Sequence, residues 1–215
     1  MADDALEVVF ATLDTLPETI GRADAPLVVM PYIDAEPARR SAIQLARRAG
    51  TGGVLLAVLD AQRTGFINVA NTVFRRSVAP HFAYVAQDAF AGRQWLELGL
   101  AKLGWKEGGL LAFNDGKWGG MLAAFGMVRR DWAAGNYEGD LFHPGYRRHY
   151  ADVELTLIAM QQAKLRFEPL SMLVEVDWEK DSRTVNAEDR VYYYKRAQTD
   201  FDRKVTNPSL RRLFK

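Results

Sequence analysis

The 215-residue chain predicts an α/β fold, an open and mostly parallel sheet with helices packed outside it. Three observations carry that expectation. Three short runs, LVVMPY (27–32), VLLAVL (54–59) and FAYVA (82–86), are almost wholly apolar, as strands buried on both faces are. Each is followed by a stretch whose apolar residues recur at helical spacing. The runs begin near 27, 54 and 82, a period long enough for a helical crossover, and such crossovers make successive strands parallel.

The elements follow in order. Pro31 lies at the end of the first run, where a missing donor does least harm. In DAEPARRSAIQLARRAG, Pro37 is placed to open a helix and Gly50 to close it. The second run ends at Asp60. GFINVANTVFRRS reads as a helix with Ile67, Ala70 and Phe74 on one face. After FAYVA, GRQWLELGLAKLG carries Leu96, Leu100 and Leu103 at helical spacing, and Trp95 on this helix reads as a core residue. GLLAF (109–113) and MLAAFGMV (121–128) read as strands joined by the turn-rich NDGKWGG. HYADVELTLIAMQQAKL is a helix with Val153, Leu157 and Met160 on one face. SMLVEVDW alternates as a strand does, and from about 187 the chain reads as helical and charged.

Composition narrows the chemistry. With no cysteine there is no disulfide, zinc–thiolate site or thiol nucleophile. No apolar run approaches the ~20 residues that span a bilayer, and the acidic start MADDALEVVF does not read as an export signal, so a cytoplasmic location is expected. The net charge is +1, unevenly spread: from Lys195 to Lys215 seven basic residues face two acidic ones. Such an end meets phosphate on a nucleotide or a lipid head group, or is simply a solvated helix face. No nucleic-acid recognition motif accompanies it, and the rest of the chain is net acidic.

In open α/β sheets ligands sit beyond the carboxyl ends of the strands, which points to Tyr32, Asp34, Asp60, Asp88, Asn114 and Asp115. The first strand-to-helix turn, PYIDAEPARR, has no glycine and so lacks the dinucleotide fingerprint. P-loop and GxSxG patterns are absent, and His81, His143 and His149 have no metal-ligand spacing. Aspartate remains at the strand ends, and its main chemistry there is the holding of metal and phosphate.

The ordered series VVMPYID, VLLAVLDAQ, GFINVANTVFRRS, FAYVAQDAFAGRQWLE, GLLAFNDG and LFHPGYRRHYADVELTLIA resembles glycosyltransferase family 2, over roughly residues 26–178. The resemblance implies the GT-A fold: an open mixed sheet, mostly parallel, flanked by helices on both faces, here with a helical charged C-terminal tail. It divides the chain into one domain over 1–186, with a nucleotide-binding half at about 26–115 and an acceptor half at about 116–186, and a basic extension over 187–215. It implies inverting transfer of a sugar from a nucleotide-diphospho-sugar to a hydroxyl acceptor, assisted by Mn²⁺ or Mg²⁺. The acceptor is a glycan, a lipid-linked molecule or a small molecule; nucleic acid is not expected. The basic C-terminus would be the part to meet a membrane surface.

Residue by residue, the resemblance places Pro31, Tyr32, Asp34, Asp60, Asn71, Arg75 and Gln87 around the nucleotide-sugar, and Asp152 as the base that deprotonates the acceptor. It places Asp88 on the metal. Asp115 and Trp118, in the Gly-rich turn, are read as acceptor-binding, Trp118 by stacking on a sugar face. Two departures stand out. The paired-acid motif is reduced to Ala86-Gln87-Asp88, and VEVDW lacks the histidine some members use as a metal ligand, so Glu175 or Asp177 is expected in its place. The missing acid leaves a second reading open, a catalytically degenerate relative that binds a nucleotide, sugar or protein partner without transfer. Each aspartate also has a plainer role: Asp88 in a loop or helix cap, Asp60 in a turn, Asp152 as a helix cap. Glu154, ~200° from Asp152 around a helix, would face away from the site toward a basic partner.

Overall fold

The computed structural model describes residues 5–104, 106–175 and 186–214. The strands are β1 (Glu7–Thr12), β2 (Leu27–Tyr32), β3 (Val54–Leu59), β4 (His81–Tyr84), β5 (Ala89–Ala91), β6 (Leu110–Asn114), β7 (Gly126–Arg129) and β8 (Leu165–Glu175). They form one eight-stranded sheet in the order β1-β3-β2-β4-β7-β6-β8-β5. The helices are α1 (Ala35–Arg47), α2 (Phe66–Arg76), α3 (Trp95–Leu103), the short α4 (Arg130–Ala134), α5 (Ala151–Gln161) and α6 (Ala187–Gln198).

The α/β class agrees with the sequence, but the expectation of a mostly parallel sheet is corrected: the sheet is mixed. β1, β3, β2 and β4 run parallel, as do β6 and β8, while β7 is antiparallel to both β4 and β6, and β5 is antiparallel to β8. The cause is local. The segment between β6 and β7 holds no helix, and a connection that short returns the chain antiparallel. β5 follows β4 after a short turn but pairs with β8, at the edge of the sheet.

Strand alternation divides the core into two layers. Leu27 and Val29 of β2 and Phe82 and Tyr84 of β4 pack on the face covered by α2 and α5. Val28, Met30 and Ala83 point the other way, toward Ala38, Ala42 and Leu45 of α1 and Trp95 and Leu96 of α3. Trp95 is fully buried and its indole N–H donates to the Leu45 carbonyl at 3.0 Å, so it is a core residue. Helices therefore cover both faces. Opposite Tyr84 on β7 stands Gly126, where a Cβ would lie 2.4 Å from the Tyr84 hydroxyl; only glycine lets that ring lie across the strand.

The C-terminal segment packs into this core. Tyr193 of α6 and Phe201 are fully buried on the α2/α5 side. Asp200–Arg203 form a left-handed turn with φ between 52° and 65°, held by the buried Phe201 ring and by ion pairs of Asp202 with Arg196 and of Asp200 with Arg211. No helix among the described residues is long and apolar enough to cross a membrane.

Candidate functional site

A cleft of about 670 Å³ opens at the carboxyl ends of β2, β3, β4 and β6. The chain passes from β2 to β3 on one side and returns to β4 on the other, so the cleft lies at the point where the strand order reverses.

Its near wall is built from the strand ends. Pro31 and Tyr32 close β2. Gln87, just beyond β4, accepts from the backbone N–H groups of Ile33 (2.8 Å) and Asp34 (3.2 Å) through Oε1, clipping the β2 and β4 ends together. Asp88 is half-buried in the turn between β4 and β5 and lines the cleft. β5 then pairs with β8 so that Ala89 lies opposite Glu175, which brings the Glu175 carboxylate into the same wall. Lys117 reaches it from the other side, Nζ to Oε2 at 3.6 Å.

Asp60, after β3, is buried and organises its own loop. Oδ1 accepts from the Thr64 N–H (2.8 Å) and hydroxyl (3.0 Å), and Oδ2 accepts from the Gly65 N–H (2.8 Å). Gly65 opens α2 at φ 106°, and a Cβ there would sit 2.4 Å from the Arg147 carbonyl. Asp115 behaves likewise: it is 4% exposed, and Oδ1 accepts from the Lys117 and Trp118 N–H groups, both at 2.9 Å. This turn holds Trp118 at the rim, 44% exposed, with Phe214 edge-on to it at 5.9 Å.

The far wall is the start of α5 and the loop before it. Tyr150 precedes the helix at φ 66°, an uncommon conformation for a bulky residue, with its ring stacked on Tyr193 at 5.0 Å. Asp189 of α6 supports this loop from behind. Its buried carboxylate accepts three consecutive backbone N–H groups, those of Arg147 (2.9 Å), Arg148 (2.9 Å) and His149 (3.0 Å). His149 Nδ1 accepts from the Asn186 N–H at 3.2 Å.

Asp152 enters the cleft from the first turn of α5. Burial raises its carboxyl pKa to about 6, against the smaller opposing effect of backbone N–H groups in that turn. Such a carboxylate is ionised at neutral pH yet more basic than a solvated one, which suits a general base. Glu154 faces the interior, fully buried. It accepts from Tyr137 (3.0 Å) and Tyr146 (2.8 Å) hydroxyls and is forked by Arg196 at 2.6 and 3.2 Å. Burial, and then the Glu154 charge, pushes both phenols well up, so they remain donors.

Among the residues expected around a ligand, the cleft gathers Pro31, Tyr32, Asp60, Gln87 and Asp88 with Asp115, Trp118 and Asp152. It does not gather three others. Asp34 caps α1, accepting from the Glu36 N–H at 3.3 Å. Asn71 is buried and exchanges two 2.9 Å hydrogen bonds with the Phe142 backbone. Arg75 pairs with Asp140. Asp177 lies outside the described residues. Among the described residues no group of three or more His, Asp or Glu side chains is clustered to hold a metal ion. Tyr84, Lys117, Arg148, His149 and Tyr150 also line the cleft and were not singled out as ligands from the sequence. The signal for Arg148 and His149 was their place in GYRRHYADVE, directly ahead of the helix that carries Asp152.

No protein-family model matches the chain, and a search of curated proteins finds no match to it.

Proposed function

We propose that the protein is a GT-A-like, metal-assisted glycosyltransferase that moves a sugar from a nucleotide-diphospho-sugar to a hydroxyl acceptor with inversion. The observation that carries the reading is Asp152, a carboxyl with a pKa of about 6 in the same cleft as the strand-end carboxylates Asp60 and Asp88. A carboxyl with a raised pKa beside strand-end carboxylates at a strand-order reversal is the arrangement expected of a reaction centre. Asp152 takes the acceptor proton as the hydroxyl oxygen bonds to the anomeric carbon. The bond from that carbon to the diphosphate oxygen breaks on the opposite face, so the configuration inverts. Trp118 offers a ring face to the acceptor sugar.

The leaving diphosphate needs positive charge. The cleft is lined by Asp60, Asp88, Asp115, Asp152 and Glu175 against Lys117 and Arg148, so an anionic donor enters only with added cationic charge. Asp88 is a hard oxygen donor at the wall, and Mg²⁺ is commonly held by one or two carboxylates plus substrate phosphates. Bound there, Mn²⁺ or Mg²⁺ would neutralise charge developing on the leaving group.

A second reading is supported by the same wall. Gln87, Asp60 and Asp115 spend their acceptor oxygens on backbone N–H groups, which suits a site that binds a nucleotide or sugar without transferring it. Release of nucleoside diphosphate from UDP- and GDP-sugars with Mn²⁺, compared between wild type and Asp152→Asn, separates the two. Turnover lost in the variant with nucleotide binding kept is the outcome for a transferase. Binding without turnover in either protein is the outcome for a degenerate relative, and no binding of either nucleotide sinks the reading for those donors.

A further inference from the structure

We propose that Arg148 is the fixed phosphate-binding cation of the cleft and that Asp189 is its positioning residue. The inference rests on the reading of the cleft as a nucleotide-sugar site, and it names the side chain that meets the diphosphate.

Two fixed cations line the cleft besides the imidazole of His149. Lys117 is engaged with Glu175 at 3.6 Å. Arg148 has an exposed side chain in the cleft, and its guanidinium has no carboxylate partner among the described residues. A guanidinium presents a planar fork of N–H donors that matches two phosphate oxygens at once. A cation left unpaired among five carboxylates is the group that an anionic ligand would meet.

The backbone beneath Arg148 is fixed to a degree unusual for an exposed loop. Three successive N–H groups, Arg147 to His149, converge on one buried carboxylate, Asp189, at 2.9 to 3.0 Å. The next residue, Tyr150, is held at φ 66° by its stack on Tyr193. Both anchors, Asp189 and Tyr193, belong to α6, so the C-terminal helix sets where Arg148 stands relative to Asp152 four residues on. Functional side chains placed this way are pre-organised, and a small shift of the loop would move the guanidinium off the phosphate.

Phosphate could reach the cleft on the donor or on an acceptor, and the ligands of the test distinguish them. UDP, GDP, uridine, guanosine and inorganic pyrophosphate are titrated calorimetrically, with Mn²⁺, into wild type, Arg148→Ala, Arg148→Lys and Asp189→Asn. The expected result is a loss of tenfold or more in diphosphate affinity for Arg148→Ala, with nucleoside affinity unchanged. Arg148→Lys should recover part of it, since a point charge replaces the fork. Asp189→Asn should show the same diphosphate-selective loss in protein that still melts cooperatively; equal loss of nucleoside and diphosphate binding would reduce Asp189 to a structural residue and overturn its role. Diphosphate affinity within twofold of wild type in Arg148→Ala overturns the assignment. If wild type binds pyrophosphate but neither nucleotide, and Arg148→Ala abolishes that binding, the phosphate site stands on an acceptor while the donor reading fails. Wild type that binds none of the phosphates overturns both.

Discussion

Asp152 and Glu154 are two positions apart on α5, so their side chains leave the helix ~200° from one another. Glu154 turns inward and receives two tyrosine hydroxyls and the Arg196 fork. Asp152 turns to the cleft, where burial leaves it more basic, with a pKa of about 6. Because this folded pKa lies above the ordinary value of 3.8, the folded state holds the proton more tightly than the unfolded chain does. The stabilising contribution is complete below about pH 4 and is lost as pH rises through about 6, a loss of roughly 2–3 kcal/mol. Asp152→Asn should therefore raise thermal stability at pH 7–8 while abolishing turnover; a lower melting temperature would mark Asp152 as a helix cap instead. For wild type, kcat/KM should rise with pH to a plateau with a midpoint near 6, as it does when a base must be ionised. The opposite facing of the two carboxylates was legible from helical spacing alone. The partner of Glu154 was not, because Arg196 is distant in sequence and reads locally as one cation on a charged helix. The partners of Asn71 and Arg75 were hidden for a similar reason: on a helix pattern, nothing distinguishes a side chain that reaches a ligand from one that ties down a distant loop such as Phe142 or pairs with Asp140.

At the scale of elements, α5 and α6 are joined by the Glu154–Arg196 pair, with side chains 0% and 8% exposed. Removing one partner strands a buried charge, so Arg196→Met should destabilise by about 3–5 kcal/mol. The double variant with Glu154→Gln should recover part of this, measured by denaturant unfolding in a double-mutant cycle. Gly65→Ala forces a side chain into φ 106° and against the Arg147 carbonyl, and should cost more than about 1 kcal/mol while displacing the 147–149 loop. The buried strands β2, β3 and β4 could be read from the sequence because apolar runs at a crossover period admit few other arrangements. β1 could not: EVVFAT is half-exposed along its length, as an edge strand is, and sits in a stretch that reads first as an acidic terminus. The three-residue β5 was hidden inside what reads as a turn, and the direction of β7 depended on the length of a connection rather than on the strand itself.

The molecule as a whole sets an acidic cleft in the middle of a sheet, with its own C-terminal segment packed on the α2/α5 face. Added chelator should abolish nucleotide binding and Mn²⁺ or Mg²⁺ should restore it, read by titration of UDP or GDP, because the lining carboxylates repel the diphosphate otherwise. The basic character of residues 195–215 suggested a solvated or surface-seeking tail. In the folded protein two of those charges are internal partners, Arg196 of Glu154 and Arg211 of Asp200, and Phe214 sits on Trp118 at the cleft rim. The support of the 147–149 loop by Asp189 also has a consequence in time. Residues 186–214 are synthesised after every strand of the sheet and after α5 itself. The emerging chain can bury its central strands and form the β2–β3 side of the cleft early, while the loop bearing Arg148 has only the Ile67 N–H on the Arg147 carbonyl, among the described residues, to hold it until α6 brings Asp189. The cleft is thus completed late in synthesis, and a chain interrupted before α6 would carry one wall of it without its Asp189 support.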